Sequence, residues 1–345
     1  MKHITIKDIA EALCLSTSTV SRALSDDKNI RRETKEKVLT TARQLGYNPN
    51  PVALNLKYGR TNTIGVIVPE MTTPFAAEVI NGIQEILYPE GLKVIIAQSN
   101  EDPLTERENL HLMERFRVDG IIISLCHQSE NQDEYIRIQR QGTPLVFFDR
   151  IPGNLDVSKV RVDDYAKSFF LVEHLIRSGR KRIAHIQAPS YLYNATERAK
   201  GYKDALAKFH IPYDDSLVIK TGVTIENGKE AARYLLASQV SFDAIFAFTD
   251  TLAIGAMNEL RERHVRIPEE VAIASFSGTI LSTIVNPQLT TVEQPLREMG
   301  HVAAELVLEK IRRPSAPNRT VVLDACIKLR ASTETDSSPD KTERL

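Results

Sequence analysis

From Thr63 onward the chain alternates short apolar runs with amphipathic stretches, in two successive rounds. The first round reads "TIGVIVP", a helix near Phe75 to Tyr88, "KVIIAQS", a helix, "GIIIS", a helix, "PLVFFDR" and "KVRVD". After Asp164 the pattern restarts with a helix, "RIAHIQA", a helix, "VIKTG", a helix, "DAIFAFT", a helix and "VAIASFS". A strand buried on one face would alternate apolar with polar. Continuous apolar strands separated by helices instead predict parallel sheets covered on both faces. The predicted class is α/β, a two-lobed body with doubly wound parallel sheets. The stretch "LTTVEQP", a helix from about Leu296 to Ile311, and "TVVLDACIKLRAS" are expected to cross back between the lobes. The tail "TETDSSPDKTERL" is polar and expected to be disordered.

The first 47 residues have another texture and predict a small all-α head. Thr5 and Asp8 fit a capping box that opens a helix with Ile6, Ile9, Ala10 and Leu13 inward. Cys14 and Leu15 make a turn, and Ser16 is a natural N-cap for the next helix. There Val20, Ala23 and Leu24 fall inward, while Thr17, Ser18, Ser21 and Arg22 share the opposite face. A third helix from about Glu33 to Leu45 closes the core with Val38, Ala42 and Leu45, and Gly46 ends it. This is a helix-turn-helix with its second helix exposed. A helix that short is marginal alone, so neighbours must pin it while it shows a polar stripe to something.

Charge supports a division of labour. Residues 1–60 hold 11 Lys and Arg against 6 Asp and Glu; the remainder holds 33 against 39. A basic head on an acidic body points to a polyanion at one end only. With 345 residues, 42% apolar, the chain has material for two or three units with real cores. No apolar run reaches bilayer length, and "MKHITIKDIA" lacks the apolar core of a signal peptide, so the expected place is the cytoplasm. Cys14, Cys126 and Cys326 fit neither a disulfide framework nor a zinc site and read as small buried or half-buried residues. There is no Gly-rich phosphate loop after a strand, no nucleophile elbow and no metal spacing among the eight histidines. No enzyme and no cofactor is expected.

From Ile4 to Ser332 the chain resembles the LacI/GalR family of bacterial transcription regulators. The resemblance rests on "TIKDIAEAL", "STVSRAL", "LGYNPNPVA" and "RTNTIGVIVPEMTTPFAAEVINGI". It continues through "RVDGIII", "RIAHI", "ERAKGY", "AIGAMNELRE", "IPEEVAIASF" and "PQLTTVEQP". It implies a DNA-binding head at 1–47, a hinge helix and linker at 48–62, and a periplasmic-binding-protein-like body at 63–333 that binds a small effector and dimerises. Lobe 1 is expected at about 63–163 and 290–321, lobe 2 at about 164–289 and 322–333, and the disordered tail at 334–345. Double-stranded operator DNA, a homodimer and a nucleoid location follow; no membrane partner does. Repression is the family's usual mode.

On this reading the stripe faces a groove. Arg22 can present two parallel N–H donors to guanine, a contact worth roughly 1–3 kcal/mol of discrimination. Thr17 and Ser18 are short enough to sit beside base edges, and Ser16 and Ser21 suit phosphate oxygens. Thr5, Thr19, Asn29 and Tyr47 complete the set assigned to DNA in the head. In "VALNLK" the family position at Leu56 is a wedge pushed into the minor groove, with Lys57 beside the backbone; the bland reading is hinge packing.

The resemblance places the effector between the lobes, at Phe75, Asp149, Asn194, Arg198, Val223, Thr249, Asp250, Ser277 and Gln294. Arg198 can take two ligand oxygens, or form a structural salt bridge. Asp149 can accept a sugar hydroxyl, or cap the loop before Arg150; Phe75 is pocket wall or core. Three positions depart from the family. Ser277 in "SFSG" replaces the first carboxylate of "GFDD", Thr249 replaces an Asn, and Val223 replaces an aromatic. The ligand is therefore expected to be an anionic or less hydroxylated sugar derivative, or another metabolite. In the head, Cys14 stands at a usual Gly and Arg31 at a usual Ser cap. The alternatives are control by a protein partner, or a solute-binding protein without DNA function; the latter would need an export signal and no basic head, and this chain has the reverse. The tail has no leucine heptads, so a dimer is expected rather than a tetramer.

Overall fold

A computed structural model describes residues 4–47, 61–238 and 240–334. The chain divides into two compact units, Met1–Thr61 and Asn62–Leu345.

The first unit holds α1 (Ile6–Leu13), α2 (Thr17–Leu24) and α3 (Arg32–Gln44). Thr5 donates to the Asp8 carboxylate through both its backbone N–H (2.7 Å) and its hydroxyl (2.6 Å). Ile9, Val20 and Val38 are wholly buried, joined by Ala10, Ala23 and Ala42, with Leu13, Leu24 and Tyr47 packed around them. Three alanines at the contact points let short helices approach closely. Leu45, expected in this core, is exposed, because α3 ends at Gln44 and turns through Gly46 at φ 69°.

The second unit carries two six-stranded sheets. The first contains β1 (Thr63–Val68), β2 (Lys93–Gln98), β3 (Gly120–Ile123), β4 (Leu145–Phe148), β5 (Ser158–Val162) and β11 (Thr320–Leu323). Its order is β11-β5-β4-β3-β1-β2, parallel throughout. The second contains β6 (Ile183–Gln187), β7 (Val218–Lys220), β8 (Ala244–Ala247), β9 (Ala272–Ser277), β10 (Thr290–Glu293) and β12 (Cys326–Lys328). Its order is β12-β10-β9-β8-β6-β7, with only β12 antiparallel. Helices α4 (Pro74–Leu87), α5 (Pro103–Arg115), α6 (Gln132–Arg140) and α12 (Leu296–Arg312) belong to the first lobe. Helices α7 (Asp164–Arg177), α8 (Tyr193–Lys208), α9 (Ile225–Ala237), α10 (Asp250–Glu262) and α11 (Leu281–Ile284) belong to the second. Ile64, Val66, Ile67 and Val68 of β1 are all wholly buried, as a strand covered on both faces requires. Each such side chain stabilises by roughly 1.5–3 kcal/mol.

The lobes divide differently from the expectation. Thr290–Glu293 was expected in lobe 1, but it pairs with β9 and β12 in the second sheet. Polar bonds hold it there: the Thr290 N–H donates to the Ser332 hydroxyl at 2.8 Å, and the Thr291 hydroxyl to Asp250 at 2.7 Å. Conversely Val322 and Leu323 pair with Arg161 and Val162 in the first sheet. The chain therefore crosses between sheets near Asp163, at Gln294–Pro295 and at Asp324–Ala325. Paired helices brace each lobe. A Cβ on Gly82 of α4 would lie 2.2 Å from the Arg297 carbonyl of α12, and one on Gly255 of α10 would lie 2.0 Å from the Ile225 carbonyl of α9.

Of the three cysteines only Cys126 is buried; Cys14 and Cys326 are exposed, contrary to expectation. Cys14 stands at the end of α1 and Cys326 opens the edge strand β12, so neither faces a core. Among the described residues no helix is long and apolar enough to cross a membrane. The tail from residue 335 lies outside the described residues.

Candidate DNA-reading face and interlobe cleft

The turn that presents α2 is held by backbone geometry. Cys14 takes a left-handed conformation at φ 53°, which costs a non-glycine residue about 1–2 kcal/mol, and the chain reverses there. The Ser16 hydroxyl then accepts from the Thr19 N–H at 3.1 Å and lies 2.8 Å from the hydroxyls of both Ser18 and Thr19. Val20 and Ala23 anchor α2 inward. Thr17, Ser18 and Arg22 are exposed and Ser21 is half-buried, so the stripe read from the spacing exists.

Charge pairing divides the cations of the head. On α3, Arg32 pairs with Glu36 and Lys37 with Glu33, and Lys35 reaches Asp26. Arg22 on α2 has no ion pair among the described residues, and neither do Lys7, Lys28, Arg31 and Arg43. Arg31 precedes α3 without a side-chain cap. Other assigned residues are engaged inside the head: Asn29 bonds Asp27 at 2.9 and 3.0 Å, Thr5 bonds Asp8, and Tyr47 packs half-buried on the core. Asp27 is held below the usual carboxylate range by the Asn29 N–H first, with Arg22 contributing. Leu56 and Lys57 lie outside the described residues.

In the body, the C-terminal ends of the parallel strands face each other across the lobes. Asp149 follows β4 in a left-handed conformation at φ 54°, and Asn194 near the start of α8 donates to it from the other lobe at 3.5 Å. Tyr191 stacks on His127 with ring centroids 4.2 Å apart, and its carbonyl accepts from the Gln128 N–H at 3.3 Å. Behind this contact Arg198, 1% exposed, bonds Asp164 through Nε at 2.9 Å and Nη2 at 2.8 Å. Its Nη1 donates to the Phe248 carbonyl at 2.6 Å, and Phe276 and Phe248 flank the guanidinium at 3.6 and 4.4 Å. Of the two roles open to Arg198, this geometry is the salt bridge. Burial pushes the Asp164 carboxyl up to about 6 against the pull of Arg198, and raises Asp149 as well.

Other expected pocket positions scatter. Asp250 accepts from Ser275 at 2.6 Å, Thr291 at 2.7 Å, and the Thr279 N–H and hydroxyl at 2.8 and 3.1 Å. These bonds tie the ends of β8, β9 and β10 together from below. Thr249 caps α10, accepting from Leu252 at 3.3 Å. Phe75 packs on the apolar cluster shared by both lobes, and Val223 packs on the cluster of the second lobe. Ser277 and Gln294 sit at the ends of β9 and β10, linked by the Gln294 N–H to the Ser277 carbonyl at 3.3 Å. The spacing did not reveal the Arg150–Glu101 ion pair at 2.6 Å, nor Asp164 and the two phenylalanines around Arg198. Their one signal is position: each follows, or lies within, the C-terminal part of a strand.

His185 is also buried, its Nδ1 2.9 Å from the Phe246 carbonyl and its ring stacked on Phe246. Burial depresses it to about 4. His111, Glu114 and Glu134 come close enough together to hold a cation. Arg137 already bonds both carboxylates, so the cluster reads as an ion-pair network.

A helix-turn-helix in one unit and a two-lobed α/β body in the other fit a DNA-binding regulator, and similarity to known proteins gives the family. Residues 5–50 match the bacterial regulatory proteins of the lacI family, and residues 61–333 match the periplasmic binding proteins and sugar binding domain of LacI family. Catabolite control protein A of Priestia megaterium is 33% identical over 333 residues, 96% of this chain and 100% of that protein. The transcriptional regulator CelR, solved in complex with cellobiose, is 27% identical with a TM-score of 0.73, covering 96% of this chain and 100% of that one. The lac repressor dimer bound to operator shares the fold at 22% identity, with a TM-score of 0.84 over 97% of this chain and 100% of that one. The chain belongs to the LacI family of bacterial regulatory proteins. It is a DNA-binding transcription regulator and not an enzyme.

Proposed function

We propose that this regulator is a cytoplasmic, nucleoid-associated repressor that binds a pseudo-palindromic operator as a homodimer and is controlled by a small effector in the interlobe cleft. The observation that carries the reading is the exposed stripe of Thr17, Ser18 and Arg22, with Arg22 the cation of α2 that has no ion pair among the described residues. A two-fold dimer reads an inverted repeat because each head meets the same half-site. The effector acts by binding two arrangements of the lobes with different affinity, which shifts operator affinity by the same coupling. Leu56 and Lys57 serve as minor-groove wedge and backbone contact. The lac repressor dimer bound to operator and the CelR–cellobiose complex support the two halves of this reading by similarity.

The test is selection of bound duplexes from a random pool. Enrichment of an inverted repeat, with operator affinity altered by a ligand that also stabilises the body, is the expected outcome. A pool that stays random after successive rounds contradicts the operator-binding role.

A further inference from the structure

Helix α8 runs from the cleft to a cavity at the far end of the same lobe. Its buried stripe carries Asn194, Arg198, Tyr202 and Leu206, each one helical turn from the last. At the cleft end Asn194 donates to Asp149, and Arg198 holds Asp164 and the Phe248 carbonyl. At the other end the Tyr202 hydroxyl donates to the Ile183 carbonyl at 2.8 Å, and Tyr202 and Leu206 line a cavity of about 120 Å³. From Asn194 to Leu206 the helix rises about 18 Å. The cavity lies where Ile183 opens β6 and Leu217 precedes β7, at the N-terminal ends of parallel strands whose C-terminal ends face the cleft.

The floor of the cavity is apolar, made by Ile183, Leu206, Ile211 and Leu217, while Lys181, Arg182 and Asp214 stand at its rim. Two of the three rim charges are engaged. Arg182 donates to the Ser241 carbonyl at 2.5 Å and to Asp214 at 3.3 Å. Asp214 also accepts from the Ser216 N–H at 3.0 Å and hydroxyl at 2.5 Å. Lys181 bonds Asp243 through its backbone N–H, and its ammonium has no ion pair among the described residues. The rim therefore carries one positive charge in excess above an apolar floor. An apolar cavity of roughly 150 Å³ holds benzene, so this one has room for a short branched hydrocarbon chain. A carboxylate on that chain stays hydrated at the mouth, where Lys181 supplies the opposite charge.

We propose that this cavity is a second ligand site, taking a small branched-chain carboxylate, and that its ligand acts on the cleft through α8. The hydrocarbon chain enters against Tyr202 and Leu206, on the stripe that continues to Arg198 and Asn194. A packed helix shifts as a unit, so displacement at Leu206 reaches the bond between Asn194 and Asp149.

The experiment is a methyl-resolved NMR titration of the full-length protein with isovalerate, with isovaleramide as the uncharged counterpart and isoamylamine as the cation. The methyls of Ile183 and Ile211 report the cavity, and the Ala195 methyl reports the cleft end of α8. Isovalerate is expected to shift both isoleucine signals saturably, with the Ala195 signal following at the same midpoint. The amide and the amine should bind at least about tenfold more weakly, and Lys181→Glu should weaken isovalerate about tenfold. Leu206→Phe, which fills the cavity, should abolish the shifts; Lys181→Glu alters an exposed side chain and keeps the test independent of folding. Amide binding as tight as isovalerate overturns the carboxylate preference, and isoleucine signals that stay fixed overturn the site. An Ala195 signal that stays fixed while the cavity fills, or moves at an unchanged midpoint in Lys181→Glu, overturns the coupling through α8.

Discussion

The stripe on α2 keeps Thr17, Ser18 and Arg22 in water, beside a core of three small helices. The cleft buries Asp164, Arg198 and Asn194 and ties most of its charges to one another before any ligand arrives. The difference separates two ways of building recognition. A surface that reads DNA gains by holding donors ready in solvent, where an unpaired guanidinium costs little and a polyanion supplies the partner. A cleft that takes a small molecule must first stabilise buried charge, so few groups remain open and each open one carries information.

Substitution can break this comparison. Arg198→Leu leaves Asp164 buried without a partner and should destabilise the body by about 3–5 kcal/mol in urea unfolding. Arg22→Leu, on an exposed face, should stay within about 0.5 kcal/mol of wild type. Equal effects would mean that the two regions are not built on different rules.

Acidity sharpens it. The folded chain holds His185 at about 4 against an ordinary 6.5, so between those values the unfolded chain takes up a proton that the folded chain refuses. His185 therefore contributes stability at neutral pH that is lost as pH falls through that window. Asp164 has the opposite sign: its folded value near 6 lies above 3.8, so lowering pH from 6 relieves the burial of its charge. In His185→Phe only the second effect remains. Relative to wild type the variant should gain roughly 3 kcal/mol between pH 7 and pH 4. A constant difference across that range would show that His185 does not stay neutral.

The smallest effect belongs to the turn. Ser16→Ala removes the cap of α2 and should cost the head about 1 kcal/mol, measured by thermal unfolding of the full-length protein followed at the head. An unchanged transition would leave the hydroxyls of Ser18 and Thr19 as sufficient caps.

These contrasts also explain what was legible in the sequence. The stripe could be read from spacing because an eight-residue helix places residues 17, 18, 21 and 22 on one face whatever surrounds it. The two rounds of strands were legible for the same reason: β1 beyond Thr63 and the whole of β3 are apolar. The lobe of Thr290–Glu293 was not, because its threonines are held by Ser332 and Asp250, which are distant in sequence. The state of Arg198 was equally hidden, since its partner lies 34 residues away on another helix. Spacing names a charged residue at a cleft, but only the folded arrangement shows whether its charge is free.

The most direct measurement titrates wild type and Arg22→Ala onto the selected operator and onto random duplex, across a range of salt concentrations. The account predicts that Arg22→Ala loses roughly 10–100-fold on the operator while its affinity for random DNA and the slope against salt change little. Equal losses on both DNAs would make Arg22 a phosphate contact and contradict the reading of α2 as the helix that distinguishes bases.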